Sequence, residues 1–470
     1  MIQRCADCKS LRHPPGPCCP QCGSFAWDTV EASGGGHVHS YVVNHHPRHP
    51  AFDYPLVVAV IELAEGTRLI TNMTGVAPED VEVGMPVVLD WIDPDPDLSL
   101  PGVPPGRHQG ALMDFTLGEE LEAVRDLARQ VFTDRATQER IKAAEESVNG
   151  FDEDLWKELG ETGLLGVALP EPLGGAGIGA AGLAVLLEEQ GRTVAPVPIW
   201  PAVVAALTIA THGTAAQREM LPDVLDGTAR PTVALEEFGA ADPASPGCAA
   251  VRDGDGWRLT GTKAAVPTPF GARHVLVSAS SPGGPGLFLA EASAAGTSWE
   301  RAETTGRDAA GHLTLDGTPA QALSPGALDT ALQLARVSLA ALQVGVADGA
   351  LRTAAEYLTG REQFGRPLAA FQAVQHQLAD CYIEIDALRV CLMHALSLIA
   401  AGEDAGTAVL VAKWWSDEGG LNVVHRVQHL HGGIGVDVDY PVHRHFLWGK
   451  QISGTLGGAS FDLDLLGAAL

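Results

Sequence analysis

Positive charge is what this chain has least of. Its 30 Lys and Arg face 58 Asp and Glu, for a formal net charge of −28 and a pI near 4.8. Nucleic-acid backbones are bound by clustered cations that release counterions, so this balance argues against such a partner; the acidic surface serves solubility. No charged-then-apolar leader opens the sequence and no run of about 18 uninterrupted apolar residues occurs, so a cytoplasmic protein is expected. Cysteine is scarce beyond residue 22. Cys248, Cys381 and Cys391 stand scattered in apolar surroundings and read as small core residues. What the 470 residues do contain is 46% apolar side chains, enough for sizeable cores in more than one domain.

The other five cysteines crowd the N-terminus. Cys5-Ala-Asp-Cys8 and Cys19-Pro-Gln-Cys22 are two C-x-x-C pairs joined by a short loop, the spacing of a zinc ribbon. Each pair holds two thiolates on one tight knuckle, and four thiolates complete the tetrahedral sphere of a structural zinc. A disulfide reading is disfavoured in a reducing compartment, which leaves a ribbon that has lost its metal as the alternative. Cys18 competes with Cys19, but only Cys19 keeps two intervening residues.

Residues 38–44, 56–63, 67–73 and 87–92 read as short strands separated by Gly, Pro and Asp, and imply a small barrel. With GGGHVHSYVV and VEVGMPVVLDW in this order behind the ribbon, the segment resembles the ribbon-plus-OB-fold (DUF35-like) family found beside thiolases and thiolase-like aldolases. The resemblance implies a docking or acyl-CoA-associated accessory. His45, His46 and His49 read either as a second metal site or as a solvated loop at a strand end. Residues 94–111, rich in Pro, Gly and Asp, read as a linker.

From Phe115 the period becomes helical, with Leu117, Leu121, Val124, Leu127, Ala128 and Val131 near one face. Further helices run to about residue 216, with LPEPLGGAGIG at 169–179 as a Gly-rich connection. Strand-sized pieces occupy 232–235, 257–259, 274–277 and 287–290. Helices resume near Ala327; residues 327–358 are apolar nearly all round, and Phe371, Val374, Leu378, Cys381, Ile385, Leu388 and Leu392 form a second stripe.

Two stretches in this last region carry the chemistry, REQFGRPLAAFQ at 361–372 and QHLHGGIG at 428–435. A guanidinium such as Arg361 forks onto pyrophosphate oxygens, and Gly432, Gly433 and Gly435 let a backbone come close enough to donate N–H groups. Their order and spacing closely resemble the flavin-dinucleotide motifs of the acyl-CoA dehydrogenase family, a likeness that covers residues 113–470. It implies α-helical, β and C-terminal four-helix-bundle domains at 112–230, 231–325 and 326–470, behind a ribbon at 1–35 and an OB-fold at 36–93. It further implies FAD as cofactor: Arg361 and Phe364 contact the FAD of a neighbouring subunit, Phe371 and Gln372 lie by it, and Gln428, Gly432 and Gly433 meet its adenosine-diphosphate half.

The family removes a proton α to a thioester while the β-hydrogen leaves as hydride to the flavin. Here the sequence departs from its pattern. Where the family reads ALTEP-G-GSD, this chain has Ala234, Leu235, Glu236, Glu237, Phe238, Gly239, Ala240, Ala241 and Asp242; where it reads G-K-W-I-T, this chain runs from Gly261 to Pro267, and proline has no N–H to offer a flavin ring. The two positions that carry the family's base fall on Gly457 or Gly458 in TLGGAS and on Ala335 in LQLARVSLA. No catalytic residue is therefore assigned; Glu236, Glu237 and Asp329 are the substitutes at hand, with ordinary surface or loop roles as the alternative.

Intact dinucleotide motifs beside a missing base resemble the base-lacking subunit of heteromeric steroid-type acyl-CoA dehydrogenases, α2β2 assemblies in which the other subunit supplies the base. The implied partners are that subunit, an acyl-CoA substrate and a thiolase-like aldolase docked on the accessory domain. The alternatives are a self-sufficient homotetramer using another carboxylate, and a scaffold without redox chemistry.

Overall fold

The computed structural model describes residues 2–46, 54–95, 98–103, 117–239 and 242–469, so His49, Phe115, Ala240 and Ala241 lie outside the described residues. The chain divides into two compact units, Met1–Thr116 and Leu117–Leu470.

In the first unit β1 (Ile2–Cys5) lies between β2 (Leu11–Arg12) and β3 (Trp27–Val30) in an antiparallel sheet. A second sheet follows. β4 (Gly35–Asn44), β5 (Leu56–Leu63) and β6 (Arg68–Met73) form where alternation places strands, because in β5 Val57, Ala59 and Ile61 are buried while the residues between them are partly exposed. The strand expected at 87–92 is two, β7 (Pro86–Val88) and β8 (Asp90–Asp95), parted where the Leu89 N–H turns aside to the Gly34 carbonyl. The expected linker also proves partly regular: residues 94–95 belong to β8 and β9 (Leu98–Val103) follows, while 96–97 and 104–111 lie outside the described residues. The order is β7-β4-β5-β6-β9-β8, antiparallel except for β6 with β9, around Val38, Val57, Ala59, Ile61, Met73 and Val87.

The second unit opens with α1 (Glu119–Arg135), α2 (Gln138–Glu145), α3 (Glu153–Glu161), α4 (Gly179–Thr193), α5 (Ile199–His212), α6 (Ala215–Arg218) and α7 (Leu221–Leu225). Local chemistry sets these boundaries. Asp152 caps α3 by accepting the Leu155 N–H at 2.9 Å, and the same carboxylate pairs with Arg140 of α2. Leu127 departs from the expected face and is 39% exposed, since it sits about 100° round the helix from Ala128, which is buried.

A seven-stranded sheet comes next: β10 (Thr232–Ala234), β11 (Ala249–Asp253), β12 (Gly256–Pro267), β13 (His274–Ser281), β14 (Gly284–Glu291), β15 (Thr297–Glu303) and β16 (Ala309–Ala322). Its order is β10-β13-β11-β12-β16-β14 with β15 on β16, and β14 also pairs with β13, closing the sheet on itself. β15 escapes the sequence reading because its TSWERAE is mostly exposed on both faces.

The C-terminal bundle is built on α8 (Ala327–Gly360). Among the described residues α8 is the helix long and apolar enough to cross a membrane, yet 78% of its most apolar window is buried inside the fold. Gly345 and Gly349 let α4 come so near that a Cβ would stand 2.0 Å from the Glu188 carbonyl oxygen and 2.2 Å from that of Arg192. The hairpin of β17 (Glu362–Gln363) and β18 (Arg366–Pro367) leads into α9 (Gln372–Ala401), whose stripe buries Cys381, Ile385, Leu388 and Leu392. α10 (Gly406–Trp415) runs through a π turn at Ser416–Gly420 into α11 (Leu421–His431), and α12 (Val442–Gly454) and α13 (Ala459–Ala469) complete the bundle.

Candidate functional sites

The four N-terminal thiols meet because two knuckles repeat one hydrogen-bond pattern. The Lys9 N–H reaches the Cys5 carbonyl at 3.1 Å and the Gly23 N–H the Cys19 carbonyl at 2.9 Å, with Lys9 and Gly23 both at positive φ. Cys5, Cys8, Cys19 and Cys22 then hold their sulfurs within 4.8 Å of one another, Cys5 with Cys22 and Cys8 with Cys19 at 3.5 Å. A tetrahedral zinc with Zn–S near ~2.3 Å sets its sulfurs ~3.8 Å apart, so the quartet fits that ion. Among the described residues this is the one cluster of three or more such ligand side chains, and Cys18 is not part of it; His45 and His46 are exposed at the end of β4. Cys248 and Cys381 are buried and Cys391 half-buried.

The structure brings the ends of α8 and α11 together. The Tyr357 ring stacks on His431 at 4.8 Å, with Tyr440 against both. Four residues beyond Tyr357, Arg361 ends α8 and is exposed, and the hairpin folds back so that the Leu368 N–H meets the Arg361 carbonyl at 2.8 Å. Phe364 stands at the hairpin tip, 90% exposed and at φ +54, a conformation that bulky side chains seldom adopt. Phe371 lies behind it at 6.2 Å, capped by the Arg366 guanidinium 4.0 Å over its ring, and Gln372 is exposed at the start of α9. On the α11 side Gln428 donates to the Gly435 carbonyl at 2.6 Å while its side-chain oxygen is without a partner. Gly432 is at φ +63, and a Cβ at Gly432 or Gly433 meets nothing within 4 Å. An exposed cation, an uncovered aromatic ring and two open glycines fit the pyrophosphate and adenosine of a dinucleotide.

A second place is a cavity of about 80 Å³ lined by residues that include Phe151, Trp200, Glu236, Pro267, Asp308 and Trp448. Pro267 lines its wall, and Ala335 is fully buried in α8. Gly457 and Gly458 lie at φ +136 and +144, without side chains. Of the three substitute carboxylates, Glu237 is already engaged: it pairs with the buried Lys263 at 2.6 Å and accepts the Gly247 and Cys248 N–H groups, and these contacts outweigh desolvation and hold it below the usual carboxylate range. Asp329 is exposed in the first turn of α8. Glu236, for which the sequence left a substitute base or an ordinary loop carboxylate open, lines the cavity and accepts the Leu456 N–H at 2.9 Å; desolvation raises its pKa. Asp308 escaped the sequence reading altogether. Burial, with Glu145 nearby, pushes it up to about 7, and no spacing or motif marks it in advance.

The chain matches the family models for the acyl-CoA dehydrogenase N-terminal domain at residues 118–228 and C-terminal domain at 326–460, and those for the ChsH2 rubredoxin-like zinc ribbon at 1–28 and C-terminal OB-fold at 29–91. It is 36% identical to acyl-CoA dehydrogenase FadE27 of Mycobacterium tuberculosis over 76% of this chain and 99% of that one. Over 23% of this chain and 34% of the relative it is 68% identical to a probable enoyl-CoA hydratase alpha subunit of Thermomonospora curvata. Among solved structures it resembles the ChsE4-ChsE5 complex of Mycobacterium tuberculosis, at TM-score 0.71, 35% identity and coverage of 76% and 98% of the two chains. It also resembles a variant of the Tcur3481-Tcur3483 steroid acyl-CoA dehydrogenase, at TM-score 0.74, 68% identity and coverage of 75% and 98%. The chain belongs to the acyl-CoA dehydrogenase family, FAD-dependent oxidoreductases acting on CH–CH bonds, and carries a zinc ribbon and an OB-fold domain ahead of that fold.

Proposed function

We propose that this chain is the subunit without a catalytic base in a heteromeric acyl-CoA dehydrogenase that desaturates a steroid side-chain CoA thioester. The observation that carries the reading is an exposed hairpin, with Phe364 90% exposed, on a chain that has Ala335, Gly457 and Gly458 where the resemblance places a base. The related ChsE4-ChsE5 structure is a complex, and the related Tcur3481-Tcur3483 protein is a steroid enzyme, which supports both the assembly and the substrate class.

In this reading Arg361 forks onto the pyrophosphate of a neighbouring subunit's FAD, Phe364 and Phe371 cover it, Gln372 lies by it, and Gln428 with the open Gly432 and Gly433 backbone meets the adenosine half. FAD supplies the acceptor for the substrate's β-hydride. The partner's carboxylate takes the α-proton, because Ala335, Gly457 and Gly458 offer no group that can. The N-terminal module docks a thiolase-like aldolase acting on the same thioester; Phe25, Trp27, Val42 and Ile70, each more than half exposed in that unit, support a protein-facing role. Absorbance at 450 nm tests the core of this: the chain co-expressed with a base-bearing dehydrogenase subunit retains flavin, and the chain purified alone retains little. Full flavin loading of the isolated chain together with acyl-CoA oxidation would favour a self-sufficient homotetramer, for which Asp308, lining the cavity with a pKa of about 7, is the best-placed base.

A further inference from the structure

Backbone strain in this fold is concentrated. Among the described residues seven non-glycine positions have positive φ, and five of them surround one cavity. Ala265 (φ 46) and Thr268 (φ 40) line it; Val194 (φ 48) precedes the lining residues Pro196 and Val197, Arg307 (φ 67) precedes Asp308, and Leu456 (φ 63) follows Thr455. Such conformations persist where the surroundings over-determine them. At Leu456 the determinant is visible. Leu456, in the turn between α12 and α13, is 1% exposed, and its backbone N–H points to Glu236 Oε1 at 2.9 Å across 220 residues of sequence. Glu236 is itself pinned, because its carbonyl accepts the Ala264 N–H at 2.9 Å, next to the strained Ala265. One residue thus joins three segments: its side chain holds the turn that leads into α13, and its backbone carbonyl ties the loop after β10 to β12.

We propose that Glu236 is a positioning residue that latches the turn at 455–458 to the loop after β10 across the wall of its own subunit's cleft. The resemblance places a base on this same turn; here two glycines at φ +136 and +144 follow Leu456, and a Cβ on Gly457 would stand 2.4 Å from the Phe461 ring. The turn is shaped to be tied down, with nothing on it to reach a substrate. Burial raises the Glu236 pKa, and the Leu456 N–H and the charge of Lys413 offset part of that effect. The proposal rests on the heteromer reading and deepens it by naming the residue that ties down the base-lacking turn of this chain's cleft.

Amide hydrogen exchange at Leu456, Gly457 and Gly458 tests it, in the full chain and again in the complex with a dehydrogenase partner. Glu236→Ala is expected to speed exchange at Leu456 by tenfold or more while the amides of α8 keep their protection. Glu236→Gln, which retains an acceptor oxygen, is expected to stay within about threefold of the parent. Glu236→Asp, one methylene too short to reach Leu456 unless the turn moves, gives the same readout as Ala if the Ala variant does not fold. Unchanged Leu456 exchange in the Ala or Asp variant, or equal acceleration in Gln and Ala, would overturn the latch. Exchange is read with or without a partner bound, so loss of the heteromer reading and loss of the latch are separate outcomes.

Discussion

Arg361 carries the sharpest prediction at the scale of single residues. It is exposed, at the end of a long rigid helix, and free to make a bidentate contact of about 1.5–3 kcal/mol with pyrophosphate. Arg361→Ala is expected to weaken FAD retention in the complex by about ten- to a hundredfold, and Arg361→Lys to restore part of it, since an ammonium keeps the charge but loses the fork. Equilibrium dialysis of the flavin decides the matter, and an unchanged affinity would mean the hairpin serves another ligand. His445 offers a pH test of the same bundle. It is 5% exposed, its Nε2–H is directed to the Arg192 carbonyl at 3.2 Å, and burial pushes its pKa down to about 4. The folded state therefore refuses a proton that the unfolded state accepts below its ordinary value of about 6.5. Stability from this residue is full above that pH and falls as the pH drops towards 4, by up to about 3 kcal/mol in all. Denaturant melts of the parent and of His445→Gln at pH 7.5 and 5 should show the parent losing more, and parallel losses would contradict a neutral buried histidine.

The N-terminal ribbon is an element whose stability rests on its metal. Thirty residues with three short strands bury few large side chains, so tetrahedral zinc supplies the folding free energy that a core would otherwise give. Cys5→Ser or Cys22→Ser should abolish zinc binding, from roughly one ion per chain, and unfold the first unit while leaving the helices from α1 onward intact. A ribbon amide spectrum that survives either change, or survives a chelator, would show that the thiols do not carry the fold. These elements also show what could be read in advance. Cysteine spacing marked the ribbon, and alternation marked β4, β5 and β6, because each pattern follows from local geometry. The end of β8, all of β9 and the exposed β15 were not legible: the first two run through Pro and Gly in a stretch that reads as linker, and the third is mostly exposed to water. The stretch at 361–372 was singled out by motif, yet the hairpin inside it and its outward-facing Phe364 in left-handed backbone are tertiary facts that periodicity does not encode.

For the whole molecule, the decisive features are residues of opposite legibility. Ala335, Gly457 and Gly458 could be placed from sequence because they fall inside recognisable segments, and their lack of ionisable groups points to a partner. Asp308 could not, and Glu236 only as one of three substitute carboxylates, since their places depend on a cavity assembled from α5, β12, the loop at 304–308, α8 and α12. The two findings converge on one claim, that this chain holds a cofactor for a neighbour and does no proton abstraction itself. The direct test is the rate of steroid side-chain acyl-CoA oxidation by the FAD-supplemented chain alone against the same chain bound to a base-bearing subunit. Loss of a positioned base costs on the order of 10²- to 10⁴-fold, so the isolated chain should fall at least about a hundredfold below the complex. Simultaneous removal of Glu236, Glu237 and Asp329 should leave the rate of a folded complex within a few-fold. An isolated chain that oxidises the thioester as fast as the complex would contradict the account.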